Sequence, residues 1–172
     1  MQDFSDLRPA LLQLADALTQ RGWMLATAES CTGGLIAAAC TDLPGSSAWF
    51  DRGFVTYSNA AKTQMLGVPE SLIAQHGAVS EAVVLAMANG AVAQSAAQVS
   101  ISVSGVAGPS GGSPAKPVGL VWLGFSIQGY AHSQCLRLAG DRAAIRQQAV
   151  DSALTLCYEL FISTPTQRHH HS

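Results

Sequence analysis

The sequence predicts a single α/β domain: a three-layer sandwich in which helices flank a mixed β-sheet. Helix-like and strand-like segments alternate through the first two thirds of the chain, which favours crossover connections between parallel strands. Two further strand-like segments then follow each other across a turn at Gly129, and a hairpin of that kind is antiparallel. Alanine is the commonest residue and aromatics make up only 6%, so helices can lie close to a sheet on small side chains.

In chain order, Leu7, Leu11, Leu14, Ala15 and Leu18 fall on one helical face, which predicts a first amphipathic helix from Leu7 to Gln20, ended by Arg21-Gly22. Trp23 to Ala28 reads as a short buried strand. It runs through Glu29-Ser30-Cys31-Thr32-Gly33-Gly34 into a helix over Leu35 to Cys40, giving the order strand, tight turn, helix. Pro44-Gly45 breaks the chain, and Phe50 to Tyr57 has strand character. Ser58 or Asn59 caps a helix through Leu66, stopped by Gly67 and Pro69, and Pro69 opens a short helix ending near Gly77. Ser80 is a good N-cap for a helix from Glu81 to about Ala97. Val99 to Val106 is an apolar, β-branched strand that runs into a Gly- and Pro-rich loop reaching Pro117. Strands over Gly119 to Gln128 and His132 to Leu138 make the hairpin, and Gly140-Asp141 starts a final helix to about Phe161.

At 172 residues, 48% apolar and 12% charged, the chain fits one soluble globular domain of ordinary size, set here at residues 1–163 with a disordered tail over 164–172. The formal net charge of −2 gives no overall electrostatic reason to seek nucleic acid or an anionic membrane. No apolar run approaches the ~20 residues that span a bilayer. Cys31, Cys40, Cys135 and Cys157 form neither a CxxC pair nor a disulfide framework, and the amino terminus has no export signal, which points to a reducing cytoplasm. His169 to His171 sit in the tail. The remaining histidines, His76 and His132, have no second ligand at helical or knuckle spacing, so no zinc site is expected.

Ser30 lies where a buried strand turns into a helix, so its hydroxyl projects at the carboxyl edge of the sheet beside helix-start amides. Those amides can hold a phosphate or a developing oxyanion, and Gly33 and Gly34 let a ligand approach the backbone. The alternative is that Ser30 and Thr32 only cap the helix. A serine nucleophile needs a base, and neither histidine lies beside a Gly-rich turn, which leaves lysine by elimination. Only Lys62 and Lys116 exist. Lys62 shares the sheet edge with Ser30 if Phe50 to Tyr57 runs parallel to the first strand; otherwise it is a solvated lysine on a helix surface. Cys31 is a rival nucleophile or a buried small hydrophobe. Glu29 orients the lysine, binds a substrate hydroxyl or is a satisfied structural carboxylate. The loop from Ser104 to Gly119 suits a binding loop or a plain surface loop, and it is neither a P-loop nor a dinucleotide fingerprint. Arg142 and Arg146, four apart, can face one way and grip a phosphate or carboxylate, or form exposed ion pairs.

Three strings carry a resemblance. Thr27-Ala28-Glu29-Ser30-Cys31-Thr32-Gly33-Gly34 is the first. Phe54-Val55-Thr56-Tyr57-Ser58-Asn59 with Lys62 and Leu66-Gly67-Val68 is the second. Ser104-Gly105-Val106-Ala107-Gly108-Pro109 with Gly111-Gly112 and Lys116-Pro117-Val118-Gly119 is the third. In order and spacing they resemble the CinA carboxyl-terminal domain family over about Leu7 to Phe161. The resemblance implies a nicotinamide mononucleotide deamidase that converts the carboxamide to the nicotinate form plus ammonia in pyridine-nucleotide recycling, with no metal and no cofactor. Carried over by position, Ser30 resembles the nucleophile and Lys62 the general base, while Tyr57 assists at the serine or its leaving group. Ser104 stands where the family often has threonine, and Arg142 resembles a substrate-binding residue. With Thr32, Gly33, Gly34 and Gly105, these complete the expected substrate-binding set. The resemblance also implies a homodimer or higher homo-oligomer acting on a small-molecule nucleotide, with no nucleic-acid or membrane partner. The other readings are a nucleotide sensor without turnover, and an interaction domain linked to competence or DNA damage, as the family's name suggests.

Overall fold

The computed structural model describes residues 8–165. The start of the expected first helix at Leu7, and the tail from residue 166 onward with its histidines, lie outside them. Twelve elements follow one another: α1 (Arg8–Arg21), β1 (Leu25–Glu29), α2 (Leu35–Thr41), a 3-10 turn (Ser46–Ala48), β2 (Phe50–Val55), α3 (Asn59–Leu66), α4 (Glu70–His76), α5 (Glu81–Ala93), β3 (Val99–Gly105), β4 (Leu120–Ile127), β5 (Tyr130–Arg137) and α6 (Arg142–Ser163). The five strands form one sheet in the order β2-β1-β3-β4-β5. β1 is parallel to both β2 and β3, whereas β3-β4 and β4-β5 are antiparallel. This is the mixed sheet the sequence predicts.

The layers follow from where apolar residues land. On one face, Leu11, Leu14 and Leu18 of α1 join Ile36 and Cys40 of α2 and Ile145, Ala149, Ala153, Leu154 and Phe161 of α6 over Leu25, Ile101, Val103, Leu123 and Phe125. On the other face, Val83, Val84, Met87 and Ala91 of α5 cover Ala26 and Ala28 of β1, and Leu66, Val68 and Ile73 close over them from α3 and α4. α5 is apolar nearly all round because it is sandwiched between the sheet and two shorter helices. Caps set the helix starts: the hydroxyls of Ser58 and Ser80 accept from Ala61 N and Val83 N at 3.0 and 3.3 Å, and the Asp141 carboxylate accepts from Ala144 N at 2.9 Å. Thr164 caps the end of α6, its hydroxyl donating to Leu160 O at 2.6 Å.

Small residues bring α5 close to its neighbours. A Cβ added at Gly90 would run into the Leu66 carbonyl at the end of α3. Alanine normally favours a helix interior over glycine by up to about 1 kcal/mol. At this position the sign reverses, and Gly90→Ala is expected to lower stability by about 1–3 kcal/mol through overpacking, measured as a fall in the urea midpoint.

The topology places a cleft. From β1 the chain leaves through α2 on one face of the sheet, whereas from β2 it leaves through α3 on the other. Adjacent strands whose connections depart to opposite faces open a crevice at their carboxyl ends, the usual ligand position in open α/β sheets. Ser30 follows β1 and Tyr57 follows β2, so both stand at that crevice.

Candidate active site

β1 and β3 pair in the register Ala26↔Ser100 and Ala28↔Ser102, and Ser30 N donates to Val103 O at 3.0 Å just beyond the last paired residue. Alternation along a strand puts Ala26, Ala28 and then Ser30 toward the α5 side. α3 lies on that same side and delivers Lys62 from its first turns. Lys62 is 1% exposed and Ser30 8% exposed. The Lys62 Nζ lies 3.1 Å from Ser30 Oγ, 3.0 Å from Thr56 O and 3.2 Å from Tyr57 O.

Nζ is placed to donate to all three oxygens, and Ser30 Oγ in turn lies 3.4 Å from Tyr57 O, an arrangement that either protonation state of the amine can occupy. The two carbonyls can only accept, so they take two N–H bonds. A neutral amine has no third hydrogen, and its lone pair then faces the serine hydroxyl. Burial holds the Lys62 pKa below its ordinary value, in the direction that favours this neutral form, with a smaller opposing effect from the Cys31 thiol.

Glu29 does not reach the lysine. Its fully buried carboxylate accepts from Thr32 Oγ1 at 2.7 Å, Ile36 N at 2.8 Å and Ala37 N at 3.0 Å. It therefore caps the positive start of α2 and fixes the turn after β1. This corrects the expectation of free helix-start amides beside Ser30, since the carboxylate occupies them. The Thr32 side chain is fully buried on Glu29, and Thr32, Gly33 and Gly34 lie outside the cleft lining. Gly33 and Gly34 adopt positive φ of 58° and 103°, which turns the chain into α2.

Arg142 and Arg146 diverge. Arg146 donates to Cys31 O at 3.0 Å and Thr32 O at 3.3 Å, bracing the turn from behind. Arg142, exposed at the cleft edge, donates to Gly108 O at 2.8 Å and lies 3.5 Å from the Tyr57 hydroxyl. The Tyr57 ring is 63% exposed and reaches across the cleft mouth, so the part of Tyr57 that meets Ser30 and Lys62 is its carbonyl. Cys31 is 7% exposed, and burial pushes its thiol up to about 11, with Arg146 and Lys62 pulling weakly the other way. At neutral pH it stays protonated and is a poor nucleophile.

The cleft encloses about 570 Å³, a size suited to a small organic ligand. Ser30, Lys62, Tyr57, Ser104, Gly105 and Arg142 line it together. The sequence reading missed Asn59 of α3, Ala78 and Val79 between α4 and α5, and the carbonyl of Thr56. Asn59 carries no chemical pattern in sequence, and a carbonyl carries none at all. Lys116, from the Gly-rich loop, ties that loop to the end of α4 by donating to His76 O at 2.6 Å. Among the described residues no group of His, Cys, Asp or Glu is placed to hold a metal ion, and no helix is long and apolar enough to cross a membrane.

The fold and site define an α/β protein with a buried serine–lysine pair at the switch point of its sheet. The CinA C-terminal domain model matches residues 8–161, and the chain belongs to that family. It is 51% identical over 161 residues to the nicotinamide-nucleotide amidohydrolase PncC of Escherichia coli strain K12, covering 92% of this chain and 96% of that one. It is 56% identical over 142 residues to the protein of the same name in Pseudomonas putida, covering 83% and 89%. Among solved structures, the competence/damage inducible protein CihA of Agrobacterium tumefaciens superposes with a TM-score of 0.89 at 44% identity, covering 93% of this chain and 99% of that one.

Proposed function

We infer that the chain is a nicotinamide-nucleotide amidohydrolase that converts nicotinamide mononucleotide to nicotinate mononucleotide and ammonia, with Ser30 as nucleophile and Lys62 as its base. The contact that carries the reading is Lys62 Nζ to Ser30 Oγ at 3.1 Å, with both carbonyl partners of the amine already in place. The near-full-length identity to two amidohydrolases of that name supports the substrate class.

The neutral amine takes the hydroxyl proton as Ser30 Oγ bonds to the carboxamide carbon. Collapse of the tetrahedral intermediate breaks the C–N bond. The proton held on Lys62 passes to the departing nitrogen, which leaves as ammonia. Water then attacks the acyl-serine ester with Lys62 again as base, releasing the carboxylate and restoring the serine. The scheme draws only on the chain's own groups and water.

Among the described residues, Arg142 at the mouth is the one cationic side chain that lines the cleft away from the buried pair, and this position suits the nucleotide phosphate. Arg142→Ala is expected to raise KM roughly tenfold to a hundredfold while kcat changes far less, read from ammonia release over a substrate series. The same assay tests the whole reading. Purified protein that binds the mononucleotide, seen as a thermal shift, yet liberates no ammonia would be a sensor rather than an enzyme. A cytoplasmic homodimer acting in pyridine-nucleotide recycling completes the proposal, and light scattering of the purified chain tests its oligomeric part.

A further inference from the structure

The catalytic scheme leaves one need unmet: a donor for the carboxamide oxygen as it becomes negative. The amides that begin α2 cannot serve, because the Glu29 carboxylate holds them. β3 supplies a different candidate through a row of serines on its α5 side. Ser100 donates to Ala88 O at 2.7 Å and Ser102 to Val84 O at 2.6 Å, each step of two along the strand matching one turn of α5. The next serine, Ser104, has run past the helix, whose first residue is Glu81. Ser104 is paired with Trp122 through its backbone, but its hydroxyl has no hydrogen-bond partner among the described residues and, with the residue 1% exposed, lines the cleft. Its oxygen faces the cleft, where a substrate atom can take the hydrogen bond it lacks. The register places it beside the nucleophile: Ala28 faces Ser102, and one further step along both parallel strands sets Ser30 beside Ser104 on the same face.

The backbone adds a second donor. Along β3 the odd-numbered residues turn their polar groups toward β1, as when Val103 O accepts from Ser30 N, and the even-numbered ones toward β4, as when Val106 N donates to Leu120 O. The Gly105 N–H accordingly points to the side on which β1 ends, into the region next to Ser30.

We propose that the Ser104 hydroxyl, with the Gly105 N–H beside it, holds the carboxamide oxygen of the substrate and stabilises the oxyanion that forms when Ser30 attacks. This rests on the amidohydrolase reading and assigns the electrostatic part of that same site. Ser104 donates a hydrogen bond throughout and keeps its proton, so no group is transferred to or from it. The interaction strengthens as charge develops, so its loss falls mainly on kcat.

The experiment is a steady-state comparison of ammonia release by the parent chain, Ser104→Ala, Ser104→Thr and Ser104→Val, with Ser30→Ala in parallel. Loss of one such donor typically lowers kcat by about 100-fold or more. Ser104→Ala is therefore expected to show a drop of that order with KM within a few-fold of the parent. Threonine and valine have nearly the same shape and differ in the hydroxyl, so Ser104→Thr should keep most of the turnover that Ser104→Val loses, whatever added bulk does to both. Equal kcat in the threonine and valine variants, or a Ser104→Ala enzyme with parental kcat, overturns the proposal while an inactive Ser30→Ala leaves the nucleophile assignment standing. A fully active Ser30→Ala protein overturns both.

Discussion

Ser30→Ala is expected to lower the rate of ammonia release by three to four orders of magnitude, the usual scale for removing a nucleophile that acts as a unit with its base. The loss should appear in kcat, because the hydroxyl contributes a bond formed only during reaction. Binding should survive: Arg142, Ser104 and the Gly105 backbone all line the cleft independently of Ser30. A thermal shift with nicotinamide mononucleotide is thus expected in the inactive variant, and it would separate a dead catalyst from a misfolded one. Cys31→Ala makes the contrast, with turnover within tenfold of the parent. Its thiol, pushed up to about 11 by burial, is a protonated part of the α6-side core rather than a second nucleophile. Parental turnover in Ser30→Ala, or loss of it in Cys31→Ala to the same depth, would transfer the nucleophile's role to the neighbouring residue.

The parts of the fold that were legible are those written in local pattern. Ser58, Ser80 and Asp141 announce helix starts because a short oxygen-bearing side chain satisfies an orphan amide two or three residues on. The β4-β5 hairpin is legible because Gly129 supplies a positive φ of 84° between two strands of matched length. Errors fall at element ends. Trp23 lies before β1 rather than in it, Tyr57 lies after β2, and α5 stops at Ala93, where Ser95 and Gln98 turn the chain toward β3. The turn at Ser46–Ala48 has no periodicity to read.

In the site, the serine–lysine meeting was legible because it needs only residue scarcity and one assumption, that β1 and β2 are parallel. What tertiary packing decides was not. A carboxylate next to Ser30 reads in sequence equally as a group acting on lysine or substrate and as a satisfied structural one. Here it caps a helix seven and eight residues further on, because the turn folds α2 back onto it. Two arginines four apart on α6 read as one grip or as exposed ion pairs, yet the rise of about 6 Å between them lets Arg146 reach under the Ser30 turn while Arg142 reaches the cleft. Tyr57 reads as an aromatic hydroxyl, whereas it meets Ser30 and Lys62 through its carbonyl, a group that every residue possesses.

Lys62 carries the other large expected effect, and it couples catalysis to stability with opposite signs. Lys62→Met should reduce turnover about as far as Ser30→Ala does, and the double variant should lose little more, because base and nucleophile act as one unit. In the parent, kcat/KM is expected to rise with pH through the ionisation of Lys62, which burial places below its ordinary value of 10.5. The stability consequence follows from the same displacement. Between its folded and unfolded pKa values the lysine binds more protons in the unfolded chain, so parental stability climbs with pH across that interval. Below the folded value the cost of burying the amine is fully present; above the unfolded value it is gone. Methionine removes the titration and takes the lysine's N–H bonds from the carbonyls of Thr56 and Tyr57, a penalty that does not vary with pH. The stability of Lys62→Met relative to the parent should therefore be most favourable at low pH and decline steadily as pH rises toward the ordinary lysine range. Urea midpoints of both proteins, taken at intervals from about pH 6 to about pH 10, measure that difference directly. A difference that stays flat across the range would mean that Lys62 keeps an ordinary pKa when folded, and an amine charged at neutral pH cannot take the proton from Ser30.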